Sequence, residues 1–287
     1  LEVKGKDLLP IEGELTPEII EKSFCSKDKS EVKKKLDYPL LNRIPTLCPG
    51  CPYLGVFYVF KKLNLIVTGD IGCYALASLK PFSAIHTILC MGASIGVGLG
   101  LKKILSKKSQ EKIVAVIGDS TFIHAGIPAL IDAVYNKISL TIIILDNKTT
   151  AMTGFQPHPG TGKTIKGEKV FKLKYKNLAK AIVIKHVVTV DPYNLKKFEE
   201  VLSKTIEFPV PSVIIAEKAC ALLDKERKII KRKIDSKKCI LCKNCLKINC
   251  PALKEENGKI EIDKTICNGC SLCQQLCLSS AIKPIYD

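Results

Sequence analysis

The apolar positions of this chain fall into a regular rhythm. Short runs of β-branched and aliphatic residues stand at 65–68, 113–117, 140–145 and 213–216, and stretches of helical character separate them. Strand-like runs alternating with helical stretches point to a parallel sheet. A fifth strand is expected within 181–190. The fold class that follows is α/β, a parallel-sheet domain over residues 45–224. The long uncharged run 81–101 holds Pro81, Ser83, His86, Ser94 and four glycines. It reads as a close-packed interior segment rather than a membrane span.

The flanks have a different character. Residues 1–44 are charged and helix-prone, with Thr16, Pro17 and Glu18 as a cap and first turn and an end near Pro39. This segment is too short to hold a core and is expected to be an arm leading in from another domain. Residues 160–176 are polar and lysine-rich, and a surface loop is expected there. Residues 224–238 carry six lysines and two arginines, so 225–238 reads as a basic linker. Residues 239–287 form a separate cysteine-rich module.

Composition sharpens this division. At 287 residues and 46% hydrophobic, the chain is neither disordered nor fibrous. It has 14 cysteines, eight of them in the last 49 residues. No signal peptide is evident at the start, so a cytoplasmic protein is expected, in which clustered cysteines bind metal. The first residue is Leu, which fits a processed chain or part of a longer polypeptide. Lys and Arg exceed Asp and Glu by 45 to 28, a net charge of +17. The lysines are scattered and not interleaved with aromatics, so neither nucleic acid nor a membrane is the expected partner. A solvated lysine-rich surface is the plain reading of the charge, and an acidic protein partner or an anionic ligand is the alternative.

Cys239, Cys242 and Cys245 are spaced two residues apart, and Cys250-Pro251 follows four residues later. Cys267, Cys270 and Cys273 repeat the spacing, with Cys277 after three residues. This is the two-cluster pattern of bacterial ferredoxins, in which the distal Cys of each run serves the other cluster. One 4Fe–4S cluster is therefore expected on Cys239, Cys242, Cys245 and Cys277, and another on Cys267, Cys270, Cys273 and Cys250. The module is expected to be a small α+β ferredoxin-like domain. Zinc would need only paired cysteines, and triplets argue against it. Two departures are the four-residue gap before Cys250 and Leu278 where a proline is usual.

Between the third and fourth runs lies a second constellation. The run at 113–117 ends in Gly118-Asp119-Ser120, and after 25 residues the next ends in Asp146-Asn147. One βαβ crossover fits that distance, putting Asp119 and Asn147 at the carboxyl ends of parallel strands, where open sheets bind ligands. Neighbouring strands lie about 4.8 Å apart, so both oxygens can reach one cation such as Mg²⁺. Gly118 and Ser120 at the helix start suit a phosphate. A chance Gly-Asp turn on a dinucleotide-type sheet is the alternative.

Gly-Asp-Ser followed by Asp-Asn resembles the thiamine diphosphate motif. That resemblance implies thiamine diphosphate as cofactor and Mg²⁺ held by Asp119, Asn147 and the Thr149 carbonyl. Four further motifs are Leu47-Cys48-Pro49-Gly50-Cys51-Pro52, Gly69-Asp70-Ile71-Gly72-Cys73-Tyr74, Cys90-Met91-Gly92-Ala93-Ser94-Ile95-Gly96 and the stretch from Thr149 through Gly154-Phe155-Gln156-Pro157-His158 to Gly160. With the cysteine tail, these resemble the catalytic large subunit of indolepyruvate:ferredoxin oxidoreductases over nearly the whole chain. The resemblance implies oxidative decarboxylation of aryl 2-oxo acids with coenzyme A, with electrons passed through 4Fe–4S clusters to an external ferredoxin. A departure is Tyr53, where the family carries His. Family members are longer, and the pyrimidine-binding domain that activates the cofactor is expected from a second subunit or a missing part of the polypeptide. The chain alone is expected to be inactive, and an oligomer is expected. A non-oxidative thiamine-dependent decarboxylase, or an electron-transfer subunit of a related oxidoreductase, would leave one of the two constellations without a task.

Cys48 and Cys51 form a further pair, and Cys73 and Cys220 each follow an expected strand. Strand ends converge on one sheet edge, and the related pyruvate:ferredoxin oxidoreductases carry a proximal cluster with a similar pattern. A third 4Fe–4S cluster on Cys48, Cys51, Cys73 and Cys220 is the reading. The alternative is a tight turn at Cys48/Cys51 with the other two as buried small residues. Gly72, Met91 and Gly92 are candidates for cofactor contact, and His124 and His158 for the substrate side. Gly92, Gly96 and Gly100 share a helix face suited to close packing or a dimer contact. Cys25, Cys90 and His186 read as packing residues.

Overall fold

A computed structural model describes residues 4–25, 44–223 and 229–286. The chain divides into two compact units, Leu1–Ile44 and Pro45–Asp287. In the first, a helix spans Pro17–Phe24. The Thr16 hydroxyl caps it by accepting the Ile19 N–H, and a proline opens its first turn. The expected end near Pro39 falls outside the described residues.

The second unit is built on a five-stranded parallel sheet. Its strands are β1 (Ile66–Thr68), β2 (Ile113–Gly118), β3 (Thr141–Asp146), β4 (His186–Val190) and β5 (Ser212–Glu217). They lie in the order β1-β2-β3-β5-β4. Alternate side chains of each strand enter opposite cores. Val114, Val116, Ile143, Leu145 and Ile214 meet the helices Tyr53–Lys62 and Leu195–Ile206 on one face. Ile113, Ile117, Ile142, Ile144 and Ile215 meet Ala93–Ile104, Ile127–Tyr135 and Tyr175–Ala181 on the other. Each fully buried aliphatic side chain contributes about 1.5–3 kcal/mol, and the β-branched residues suit the strands they fill.

The strand expected within 181–190 is shorter, because Ala181 closes a helix and Val183 turns the chain at φ +69. His186 is half-buried on this edge strand, its ring against Phe208 with centroids 4.2 Å apart. Cys25 and Cys90 are exposed rather than packed. Gly96 and Gly100 face open space, and among the glycines of this helix it is Gly98 that packs closely, against Leu140 and Thr68. Among the described residues, no helix is long and apolar enough to cross a membrane.

The cysteine-rich tail forms two small antiparallel pairs. Strand β6 (Arg232–Ile234) pairs with β9 (Ile282–Pro284), and β7 (Leu253–Glu256) with β8 (Lys259–Ile262). Asn257-Gly258, both at positive φ, makes the β7–β8 turn. Part of the stretch expected as a linker is thus a strand, because Ile234 supplies an apolar position facing Ile282. Nor does the tail stand apart. Ile248 and Leu272 are buried in the same cluster as Val56 and Phe57. The Gln275 side-chain amide donates to the Tyr193 carbonyl at 2.7 Å and accepts the Leu195 N–H at 3.1 Å. The Tyr193 hydroxyl donates to the Gly50 carbonyl.

Candidate active site

Strands β2 and β3 are neighbours in register, with Gly118 opposite Leu145. The chain therefore leaves the sheet at Asp119 and Asn147 side by side. Both are buried, at 3% and 5% exposure. The Asp119 carboxylate is held by backbone donors: Oδ1 accepts the Ser120 N–H at 2.8 Å and Oδ2 the Lys148 N–H at 3.1 Å. Asn147 Oδ1 accepts the Thr149 N–H at 3.2 Å. The Thr149 hydroxyl is buried without a hydrogen-bond partner. Immediately after Asp119 the helix passes through a π-turn, Phe122–Gly126, a distortion common at functional sites.

An open cleft of about 560 Å³ lies over these residues. Gly72, Met91, Gly118, Asp119, Ser120, Asn147 and Thr149, all expected at the cofactor, line it. Gly92 does not line it, nor does His124, which is exposed. His158 is buried behind Asp119, its Nε2 3.3 Å from Oδ2. Lys148 is committed elsewhere. Against burial, which lowers its pKa, bonds to Asp146 at 2.6 Å and Glu217 at 3.1 Å push its ammonium above the ordinary value. Burial pushes the Tyr53 and Tyr74 hydroxyls well up, so both are neutral.

Two supports of the cleft, Asp70 and Tyr74, lie in a motif that the sequence offered without a role for either. The Asp70 carboxylate, fully buried, accepts the N–H groups of Ile71, Gly92 and Ser94 at 2.8–3.2 Å. It fixes the loop before the helix Ala93–Ile104. Gly92 sits at φ +90 with Ala125 2.4 Å from where a Cβ would be, so only glycine fits. Tyr74 accepts the Gly118 N–H, and its ring lies 3.0 Å from the Cβ that Gly118 lacks.

A second cavity, about 570 Å³, is lined by Cys48, Cys51, Cys73 and Cys220. It shares Tyr53, Cys73, Asn147 and Ala151 with the cleft. The Cys220 N–H donates to the Asn147 carbonyl at 2.9 Å, and the Cys51 N–H to the Cys48 carbonyl at 3.0 Å. Burial, with Cys48, Cys220 and Cys73 as neighbours, pushes the Cys51 thiol well up. In the tail, burial and the nearby Cys277, Cys239 and Cys242 push Cys245 up, while burial and the nearby Cys270, Cys250 and Cys267 push Cys273 up. Among the described residues, no group of three or more His, Cys, Asp or Glu side chains is arranged to hold a metal ion. Burial also raises Cys250, opposed by the amides of Ala252 and of Gly50, which belongs to the Cys48–Cys51 turn.

The family of thiamine pyrophosphate enzymes, in its C-terminal TPP binding domain, matches residues 70–216. The indolepyruvate oxidoreductase subunit IorA of Archaeoglobus fulgidus is 42% identical over 253 residues, covering 84% of this chain and 40% of that protein. The IorA subunit of Methanothermobacter thermautotrophicus is 37% identical over 298 residues, covering 99% and 48%. The chain therefore spans less than half the length of these relatives. Among solved structures, the 2-oxoglutarate:ferredoxin oxidoreductase from Magnetococcus marinus, with 2-oxoglutarate, coenzyme A and succinyl-CoA bound, superposes with a TM-score of 0.54 at 16% identity, over 69% of this chain and 72% of that one. That likeness is one of fold. On these matches the chain belongs to the thiamine pyrophosphate enzymes and, within them, to the family of indolepyruvate oxidoreductase IorA subunits.

Proposed function

We propose that this chain is the cofactor-binding and electron-exit portion of a 2-oxo acid:ferredoxin oxidoreductase of the indolepyruvate type. The observation that carries the reading is the wall shared by the cleft of hard oxygen ligands and the cavity of four cysteines. Asp119, Asn147 and the Thr149 carbonyl are the hard donors that Mg²⁺ prefers, and the unpartnered Thr149 hydroxyl leaves a buried polar group free for a ligand. Gly72 and Gly118 permit close backbone approach of a diphosphate. Thiamine diphosphate, when bound there, supplies the electron sink for loss of CO₂ from a 2-oxo acid.

The cysteine quartets support three 4Fe–4S clusters in series. Cys48, Cys51, Cys73 and Cys220 border the cleft. Cys250, Cys267, Cys270 and Cys273 come next, since the Gly50 amide of the first turn faces Cys250. Cys239, Cys242, Cys245 and Cys277 lie last, with Cys242 exposed. One 2-oxo acid and one coenzyme A thereby give an acyl-CoA, CO₂ and a proton, and the electron pair leaves one electron at a time to external ferredoxin. The +17 charge suits an acidic ferredoxin. Tyr53, Ile71, Met91 and Met152 give the cleft an apolar wall suited to an aryl side chain. Met91, Met152, Leu89 and Phe155 are exposed, as befits a surface covered by a pyrimidine-binding domain or second subunit.

Anaerobic assay of the assembled complex with indolepyruvate, coenzyme A and oxidised ferredoxin tests this. Ferredoxin reduction coupled to acyl-CoA formation is expected. Release of an aldehyde without ferredoxin reduction would mean a non-oxidative decarboxylase, and absence of bound thiamine diphosphate would leave an electron-transfer subunit.

A further inference from the structure

His158 lies between two prolines, Pro157 and Pro159, and its side chain is only 2% exposed. The Gly160 N–H donates to Nδ1 at 3.2 Å. An imidazole that accepts at Nδ1 and is neutral carries its proton on Nε2. That Nε2 has no hydrogen-bond partner among the described residues; what it faces, at 3.3 Å, is Oδ2 of Asp119. The ring is walled in from the other side. A Cβ at Gly160 would stand 2.9 Å from His158 Cε1 and 2.1 Å from the Tyr175 hydroxyl, so glycine alone lets the histidine and the tyrosine close on this spot. The Thr161 hydroxyl and N–H both donate to the His158 carbonyl at 2.8 Å, fixing the backbone.

A carboxylate oxygen has two lone pairs to offer. Oδ2 of Asp119 accepts the Lys148 N–H and has His158 Nε2 3.3 Å away, close but not hydrogen-bonded, whereas Oδ1 accepts the Ser120 N–H. We propose that His158 is a positioning residue for Asp119: it occupies Oδ2 from behind the site and leaves Oδ1 as the oxygen that binds Mg²⁺. This rests on the reading of Asp119 as a Mg²⁺ ligand, and it moves His158 from the substrate side to the far side of the metal. Partners that orient a ligating group are worth 10–100-fold in metal affinity.

The test is calorimetric titration of Mg²⁺ into the cluster-loaded full chain at saturating thiamine diphosphate, with thermal unfolding of each variant alongside. H158L is expected to bind Mg²⁺ about 10–100-fold more weakly, and H158Q, whose amide nitrogen falls near the place of Nε2, to recover most of the loss. H158N carries its amide near Nδ1 instead and is expected to stay weak, so the Gln/Asn pair decides even where Leu is not tolerated. Equal Mg²⁺ affinity in wild type and H158L, or in H158Q and H158N, overturns the role of His158 alone. A wild-type chain that takes up no Mg²⁺ with thiamine diphosphate overturns the reading of the whole site, and this inference with it.

Discussion

The Tyr74 hydroxyl accepts the Gly118 N–H at 2.9 Å and donates to the Ile71 carbonyl at 3.1 Å. One side chain thereby ties the end of β2 to the loop after β1, the two backbone segments that flank the cleft. Y74F leaves a buried N–H without an acceptor, which costs about 1–3 kcal/mol. Denaturant unfolding followed by circular dichroism should register that loss; unchanged stability would mean the bond contributes nothing.

Asp70, in that same loop, accepts three backbone amides, two of them from Gly92 and Ser94. D70N keeps one acceptor oxygen and places an amide where another stood. A loss of about 1–3 kcal/mol is expected, together with weaker uptake of thiamine diphosphate as the Met91-Gly92 loop loosens. Equilibrium dialysis of the cofactor reads the second effect, and wild-type uptake would contradict it.

Asp119 and Asp146 stand opposite one another at the ends of adjacent strands, yet only Asp119 lines the cleft. D119N should weaken Mg²⁺-dependent binding of thiamine diphosphate severely while the chain remains folded. D146N disturbs the pair with Lys148 and should spare that binding. Similar losses in both variants would count against Asp119 as the ligand.

Iron content discriminates the three cysteine quartets. C220S is expected to lower anaerobically measured iron from about twelve to about eight per chain. C250A and C277A should each remove the signal of a different tail cluster in electron paramagnetic resonance. An unchanged count in C220S would leave that cavity without a cluster.

The tail cysteines also differ in acidity. Although burial raises it, the amides of Ile282 and Ala281 and the Ser279 hydroxyl hold the Cys277 thiol below its ordinary value, while burial lifts Cys273. A lowered pKa means more thiolate at a given pH. In cluster-free protein, Cys277 should therefore alkylate at a lower pH than Cys273, and mass spectrometry of peptides labelled from pH 6 to 9 would show the order. The reverse order would refute it.

Much of this was legible in the sequence because it is local. Apolar β-branched runs gave the five strands, and the spacing of Asp119 and Asn147 put both at the ends of neighbouring strands, where the structure has them lining one cleft. What escaped depends on contacts distant in sequence. Tyr74 meets Gly118 across 44 residues and Tyr193 meets Gly50 across 143, and nothing in either segment alone announces the other. His158 stands 3.3 Å from Asp119 only because the fold brings two distant segments together. Strand β6 was hidden by lysine and arginine, whose charges suit the solvent side of a two-stranded pair. Periodicity gave β4 and β5 but not that β5 lies inside and β4 at the edge.

Ile248 and Leu272 sit in one apolar cluster with Val56, Phe57 and Phe60. Deleting residues from 239 onward would therefore do more than remove metal ligands; it would strip cover from the helix Tyr53–Lys62 and bare a greasy flank on the sheet. The tail is not a detachable accessory, and grafting it onto another enzyme would demand a matching recess in the host.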